Sequence, residues 1–160
     1  MGNFRPGPLS MLLASLFLMS ACFGAQGKPA VQVTNGNAPG TAVITNRGPD
    51  IALSRTVSVE KHVGATWTAT DAAVRLIAAC DDTEVGIARV LRRDETFSLK
   101  PWNGWTCGGQ CGGSCRANVY LGPGEFRFVV MSADGKQRFE GPAFVLGALA
   151  TNPGKRADGR

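Results

Sequence analysis

The sequence has few of the residues and runs on which common enzyme and membrane-protein classes depend. It has one histidine, His62, and it has neither a Cys-x-x-Cys redox motif nor a serine in a nucleophile elbow. Its apolar run, from Leu9 to Cys22, is shorter than the roughly 20 apolar residues that an ordinary membrane-spanning helix needs. Residue inventory alone leaves a nucleophile with His62 as its base open. We interpret His62 as an exposed strand residue and predict no catalytic residue and no cofactor.

The charged residues show no basic stripe of the kind that nucleic acids need. The formal net charge is +5, but the charges are scattered along the chain, and Arg92-Arg93 is followed at once by Asp94-Glu95. This pattern predicts a solvated surface and no nucleic-acid partner.

The N-terminus has the layout of a secretory signal peptide over residues 1–21, with a short basic region before the apolar run. Its end, Met19-Ser20-Ala21-Cys22, resembles a bacterial lipobox, in which the cysteine is acylated and becomes the mature N-terminus. The resemblance implies a lipid anchor on Cys22 that holds the protein on a membrane of the cell envelope. Because Phe23 rather than Asp follows Cys22, the outer membrane is expected in a double-membraned cell. The alternative is a periplasmic or secreted protein.

After the signal, the chain divides into a tether, a domain and a tail. Residues 22–40 are rich in Gly, Pro and Asn and predict a flexible tether with one short strand at Val31 to Thr34. Residues 41–147 are predicted to form a single domain, and residues 148–160 a disordered tail.

The domain shows the two-residue alternation of β-strands and no convincing helical period. Val57 and Val59 share one face, as do Phe126 and Phe128, and Asp134-Gly135 predicts a hairpin turn. The segment "AAVRLIAAC" fits a strand, with a helix as the competing interpretation because of its four alanines. Several short strands separated by turn signals predict an all-β, immunoglobulin-like (Ig-like) antiparallel β-sandwich.

Two longer stretches are similar to known β-domains. "VITNRGPDIALSRTVSVEKHVGATW" resembles the opening strands of bacterial envelope Ig-like domains. "PWNGW" and "LGPGEFRFVVMSADGKQRFEGPAF" are similar to the closing strands of such domains, including the flagellar hook-capping type and the intracellular proteinase inhibitor family. The resemblance covers most of residues 41–146 and implies a fold rather than an activity. As a whole the chain resembles uncharacterised bacterial lipoproteins.

The cysteines predict disulfides. With Cys22 used by the lipid, Cys80, Cys107, Cys111 and Cys115 remain, an even number outside the reducing cytosol. All three pairings join Cys80 to the cluster "CGGQCGGSC" and close a short loop with the other two. The alternative is a zinc site, but structural zinc sites usually place their ligands in two separate pairs.

Two further groups of residues are candidates for binding. Trp102 and Trp105 flank Asn103-Gly104 beside the cysteine cluster, where they either stack on a sugar or a partner's aromatic ring or pack over the disulfide loop. The carboxylates of Asp81, Asp82 and Glu84 suit calcium, although an acidic turn is the commoner meaning.

The sequence therefore predicts a non-catalytic cell-envelope lipoprotein, an Ig-like binding or structural module stapled by disulfides. Its partners would be the membrane, through the lipid, and an envelope protein or glycan. The alternatives are a proteinase-inhibitor-like protein, from the resemblance, and a metal-binding protein, from the cysteine cluster.

Overall fold

A computed structural model describes residues 30–77, 80, 88–111 and 117–148. These residues contain strands and no helix, so no helix of theirs is long and apolar enough to cross a membrane. The ten strands are β1 (Val31–Asn35), β2 (Ala42–Asn46), β3 (Ile51–Ser54), β4 (Thr56–Val63), β5 (Thr66–Arg75), β6 (Ala88–Leu91), β7 (Thr96–Ser98), β8 (Gly124–Met131), β9 (Arg138–Glu140) and β10 (Phe144–Leu146).

The strands form an antiparallel sandwich, which confirms the predicted all-β fold class. One sheet has the order β1-β2-β7, and the other has the order β10-β8-β4-β5 with β9 also paired to β8. Strands β3 and β6 form a third, two-stranded sheet. An isolated bridge between Leu53 and Ser132 connects β3 to the residue after β8. Since β3 is separated from β4 only by Arg55, the chain passes almost directly from the small sheet into the large one.

A single hydrophobic core is shared by the two large sheets. Val57 and Val59 are fully buried, as are Phe126 and Phe128, so the predicted inward faces of β4 and β8 are confirmed. The core also takes residues from the first sheet, among them Val31, Val33, Ile44 and Phe97. Burial of these alternating side chains is what commits the segments to strands, because a half-buried strand must place every second residue on the apolar face.

Local turn chemistry connects the strands. Asp134-Gly135 lies in the loop between β8 and β9, with Gly135 at a φ of 72°, so the predicted hairpin is confirmed. Val63 pairs with Thr66 across two residues, and Gly64 has a φ of 64° at the first of them. A glycine in that place suits a type II′ turn, whose twist matches that of the flanking strands.

The sandwich begins earlier in the chain than the predicted boundary at residue 41. The strand expected within the tether, β1, pairs with β2 over its whole length and buries Val31 and Val33 in the core. The Gly/Pro-rich segment that follows β1 is therefore a turn between two core strands rather than part of a tether. "AAVRLIAAC" is strand as far as Arg75, where β5 ends.

Candidate binding site at the cysteine hairpin

The segments on either side of the cysteine cluster pair with each other. Trp105 forms a bridge with Tyr120, and the Leu121 amide donates to the Gly104 carbonyl at 2.9 Å. The buried Thr106 hydroxyl accepts from the Val119 amide at 2.9 Å and donates to the Ala117 carbonyl at 2.6 Å. We call residues 104–111 and 117–121 the cysteine hairpin. Its two arms are tied together by main-chain bonds before any disulfide is considered.

The first arm of the cysteine hairpin is attached to the edge of β5. The Arg75 amide donates to the Gly109 carbonyl at 3.0 Å, and Gly109 forms a parallel bridge with Val74. A Cβ atom on Gly109 would lie 2.5 Å from Val74 Cγ2 and 2.8 Å from Val74 Cα. Glycine at this position therefore allows the two backbones to approach closely.

A disulfide joins Cys80 to Cys111, with 5.4 Å between their Cα atoms and a sequence separation of 31 positions. Of the three predicted pairings, this is the one in which Cys80 bonds to the central cysteine of "CGGQCGGSC". Cys107 is disulfide-bonded as well. Cys22 and Cys115 lie outside the described residues. Because all three described cysteines are oxidised, none of them can offer a thiolate to zinc, and the metal-binding alternative loses these ligands.

Trp102 lies in the core. Its side chain is 1% exposed and makes edge-on contacts with Phe126, Phe128 and Phe144, at centroid distances of 5.1, 6.4 and 6.2 Å. Its indole N–H donates to the Trp105 carbonyl at 2.7 Å. Trp102 therefore has no face free for a ligand. It holds the base of the cysteine hairpin against the sandwich.

Trp105 is half-buried and stacks at a tilt on Tyr120, with 5.4 Å between ring centroids and 44° between ring planes. The Tyr120 hydroxyl donates to the Gly147 carbonyl at 3.0 Å, which fixes the second ring. Val119 beside them is 55% exposed. We call Trp105, Val119 and Tyr120 the aromatic patch.

Tyr120, the single tyrosine of the chain, was not among the predicted site residues. A local signal for it did exist in the sequence. A disulfide within "CGGQCGGSC" would bring the flanking segments together, and Trp105 and Tyr120 stand on opposite sides of that cluster. Only the tertiary structure showed that Trp105 pairs with Tyr120, because a disulfide within the cluster would allow the two flanking segments to pair in several registers.

His62 lies on the outer face of the larger sheet. Its Nδ1 atom is 2.8 Å from a carboxylate oxygen of Glu125, and its ring stacks on Trp67 at 4.9 Å. Among the described residues no Ser or Cys hydrogen-bonds to His62. Within the described part of the chain, His62 is therefore not paired with a serine or cysteine that it could activate as a nucleophile.

Glu60 belongs to a closed charge network on the same face of the sheet as His62. It accepts from Arg127 and from Arg138 at 2.8 Å each, and both arginines also bind Glu140. Burial raises the pKa of Glu60, but the hydrogen bonds and charges of Arg138 and Arg127 outweigh it, so the pKa of Glu60 lies below its ordinary value. Arg127 also lies over the Trp67 ring at 4.6 Å. The network is neutral and internally satisfied, which marks it as a structural feature of the sheet.

The acidic residues Asp81, Asp82 and Glu84 lie outside the described residues. Within the described ranges, no group of three or more His, Cys, Asp or Glu side chains is arranged to hold a metal ion. The aromatic patch is therefore the strongest candidate site in the described part of the chain.

Comparison of the chain with protein-family models, with curated proteins and with solved structures finds no match. The functional interpretation consequently depends on the chain's own residues and geometry.

Proposed function

We propose that this protein is a non-catalytic, lipid-anchored Ig-like module of the bacterial cell envelope that binds an envelope protein or glycan through its aromatic patch. The observation that carries the proposal is the half-exposed pair of Trp105 and Tyr120, held on a hairpin that is tied to the sandwich at three points. Those points are the Cys80–Cys111 disulfide, the Gly109 contact with β5 and the Trp102 hydrogen bond.

A rigid aromatic pair is suited to binding because its surface is already ordered. Tyr and Trp combine a large apolar face with a polar group, and they are enriched among the residues that dominate binding energy. A side chain that is fixed before binding loses less conformational entropy on association. The hydrogen bond of Tyr120 to Gly147 and the main-chain pairing of Trp105 supply this order.

The position of the patch is consistent with a surface-anchored module. β1 starts beside Arg47, whose amide donates to the Ala30 carbonyl at 2.6 Å, and runs toward Asn35, whose side chain donates to the Ala143 carbonyl at 2.9 Å. Trp102, at the base of the cysteine hairpin, donates from its amide to Gly40, in the turn that follows β1. The aromatic patch thus lies toward the end of the sandwich that is opposite to Ala30. A lipid on Cys22 would leave the patch directed away from the membrane.

Anchoring is tested with Cys22→Ser. We expect the wild type to incorporate a labelled fatty acid and to sediment with membranes, and the variant to do neither. Equal labelling of both proteins would contradict a lipid on Cys22, and an unlabelled wild type in the soluble fraction would favour the periplasmic or secreted alternative.

Binding is tested by capture from detergent-solubilised envelopes and by binding to purified cell-wall glycan. Trp105→Ala and Tyr120→Ala should each weaken binding at least about thirtyfold, the loss expected of an interface hot spot. Trp67→Ala is the matched control, because Trp67 is also half-buried but lies on the outer face of the larger sheet. Thermal unfolding of each variant shows whether the fold is retained.

Equal capture by the wild type and by folded Trp105→Ala and Tyr120→Ala variants would refute the patch as the binding site. Enrichment of a proteinase that is lost with the same substitutions would favour the inhibitor alternative.

A further inference from the structure

The segment Arg92-Arg93-Asp94-Glu95 is neutral in sequence, but the fold separates its charges. Asp94 turns toward Arg47, with 3.4 Å between Oδ1 and Nη1. Glu95 accepts from the Arg92 amide at 2.9 Å through Oε2. Arg92 and Arg93 are exposed, and no described carboxylate contacts the guanidinium of either. Asp94 and Glu95 therefore each bind another group of the protein, whereas Arg92 and Arg93 have no described carboxylate partner.

The two arginines line a groove of about 1050 Å³ beside the small sheet. Asp50 also lines the groove, and its carboxylate accepts from the Arg93 amide at 2.9 Å. The Arg89 guanidinium lies 3.7 Å from a carboxylate oxygen of Glu95. Among the described residues that line the groove are four arginines and three carboxylates, which carry a formal charge of 4 − 3 = +1. Val90, also in the lining, is 58% exposed. We call this surface the arginine groove.

The arginine groove lies where the N-terminal part of the chain joins the sandwich. The Ala30 carbonyl accepts from the Arg47 amide, and the Arg47 side chain contacts Asp94. Cys22 precedes Ala30 by 30 − 22 = 8 residues. Even a fully extended chain of that length spans at most about 29 Å. A lipid on Cys22 would therefore keep this end of the sandwich close to the bilayer surface.

We propose that the arginine groove docks on the anionic phospholipid headgroups of the membrane that holds Cys22, an inference that rests on the proposed lipid anchor. The guanidinium groups of Arg92 and Arg93 match the geometry of phosphate oxygens, with which arginine forms paired hydrogen bonds. Each arginine near an anionic membrane surface strengthens binding about fivefold. The exposed Val90 supplies an apolar contact at the level of the headgroups. Docking in this orientation holds the aromatic patch on the side away from the membrane.

The test uses the mature chain with Cys22→Ser, so that no acyl chain contributes to binding. It is sedimented with vesicles of equimolar phosphatidylglycerol and phosphatidylcholine, and with vesicles of phosphatidylcholine alone. We expect binding to the anionic vesicles, little to the neutral ones, and a loss of binding at 1 M salt, where the screening length falls to about 3 Å. Adding Arg92→Gln and Arg93→Gln should weaken binding by about 25-fold, at fivefold for each arginine.

The matched control is Lys155→Gln with Arg156→Gln, which removes the same charge from another adjacent pair. It should bind as its parent does, and an equal loss would overturn the proposal because net charge alone would then explain binding. Stronger binding to duplex DNA of equal phosphate concentration than to the vesicles would overturn it too. Hydrogen exchange locates the contact: we expect vesicles to slow exchange in residues 88–95 but not in the cysteine hairpin, and the reverse result would refute the orientation.

Because the protein in this assay carries no lipid, its outcome is independent of whether Cys22 is acylated in the cell. Failure of vesicle binding with normal fatty-acid labelling would reject docking and leave the anchor intact. Vesicle binding without labelling would reject the anchor and leave a peripheral membrane protein.

Discussion

Replacing Gly109 by Ala should destabilise the protein, because it separates the cysteine hairpin from β5. The new Cβ would lie 2.8 Å from both Val74 Cα and Val74 Cβ, so backbone must move and no side-chain rotation relieves the contact. Moving Gly109 away lengthens the 3.0 Å hydrogen bond from Arg75, worth about 1 kcal/mol, and loosens the packing over Val74, which is 0% exposed. Overpacking of this kind costs about 1–3 kcal/mol, so we expect a total of about 2–4 kcal/mol.

Urea unfolding followed by tryptophan fluorescence measures this loss of stability. Gly147→Ala is the control, since a Cβ on Gly147 would meet nothing within 4 Å. The substitution should also couple to the disulfide. In a Cys80→Ser/Cys111→Ser background the hairpin has already lost one of its three ties, so Gly109 can move away from Val74 more easily and Gly109→Ala should cost less there. A Gly109→Ala protein as stable as Gly147→Ala, or equal costs in both backgrounds, would refute the docking of the hairpin on β5.

Three further predictions concern stability. Cys80→Ser with Cys111→Ser should lower the free energy of unfolding by about 3.7 kcal/mol, from chain entropy over 31 residues, and an unchanged midpoint in non-reducing denaturant would contradict this. Glu60→Gln should cost about 1.5–3 kcal/mol at pH 7 in urea titrations, because two arginines lose a charged acceptor. The lowered pKa of Glu60 means that its stabilisation is fully present above its ordinary value of 4.5 and is lost as the pH falls through the folded value. The wild type should therefore lose more stability than Glu60→Gln between pH 5 and about pH 2, and parallel pH profiles would disprove the role of the network. Trp102→Ala should cost about 3–5 kcal/mol by thermal or chemical unfolding, whereas an effect as small as that of Trp67→Ala would mean that Trp102 is not a core residue.

The sequence by itself determined the class of fold and the turn at Asp134-Gly135. The apolar residues Val57 and Val59, and likewise Phe126 and Phe128, are two positions apart, a pattern that can be read from neighbouring residues alone. Because one face of each strand is buried, this pattern decides which residues face the core. The turn at Asp134-Gly135 is equally local, because the backbone conformation of one glycine decides it. The even number of cysteines left after Cys22 predicted disulfides, but not which cysteines pair.

Only the tertiary structure decided how distant segments meet. Trp102 and Trp105 are the same residue type three positions apart, yet one is in the core and the other half-exposed, because the chain turns sharply at Gly104 with a φ of 88°.

The pairing of Cys80 with Cys111 depends on the approach of Gly109 to Val74, a contact between segments 35 residues apart (109 − 74). Arg92 and Arg93 have no described carboxylate partner because Asp94 binds Arg47 and Glu95 binds the Arg92 amide in the folded chain. In each case a long-range contact selects among arrangements that local sequence leaves nearly equal in energy, and burial and chain closure supply the difference.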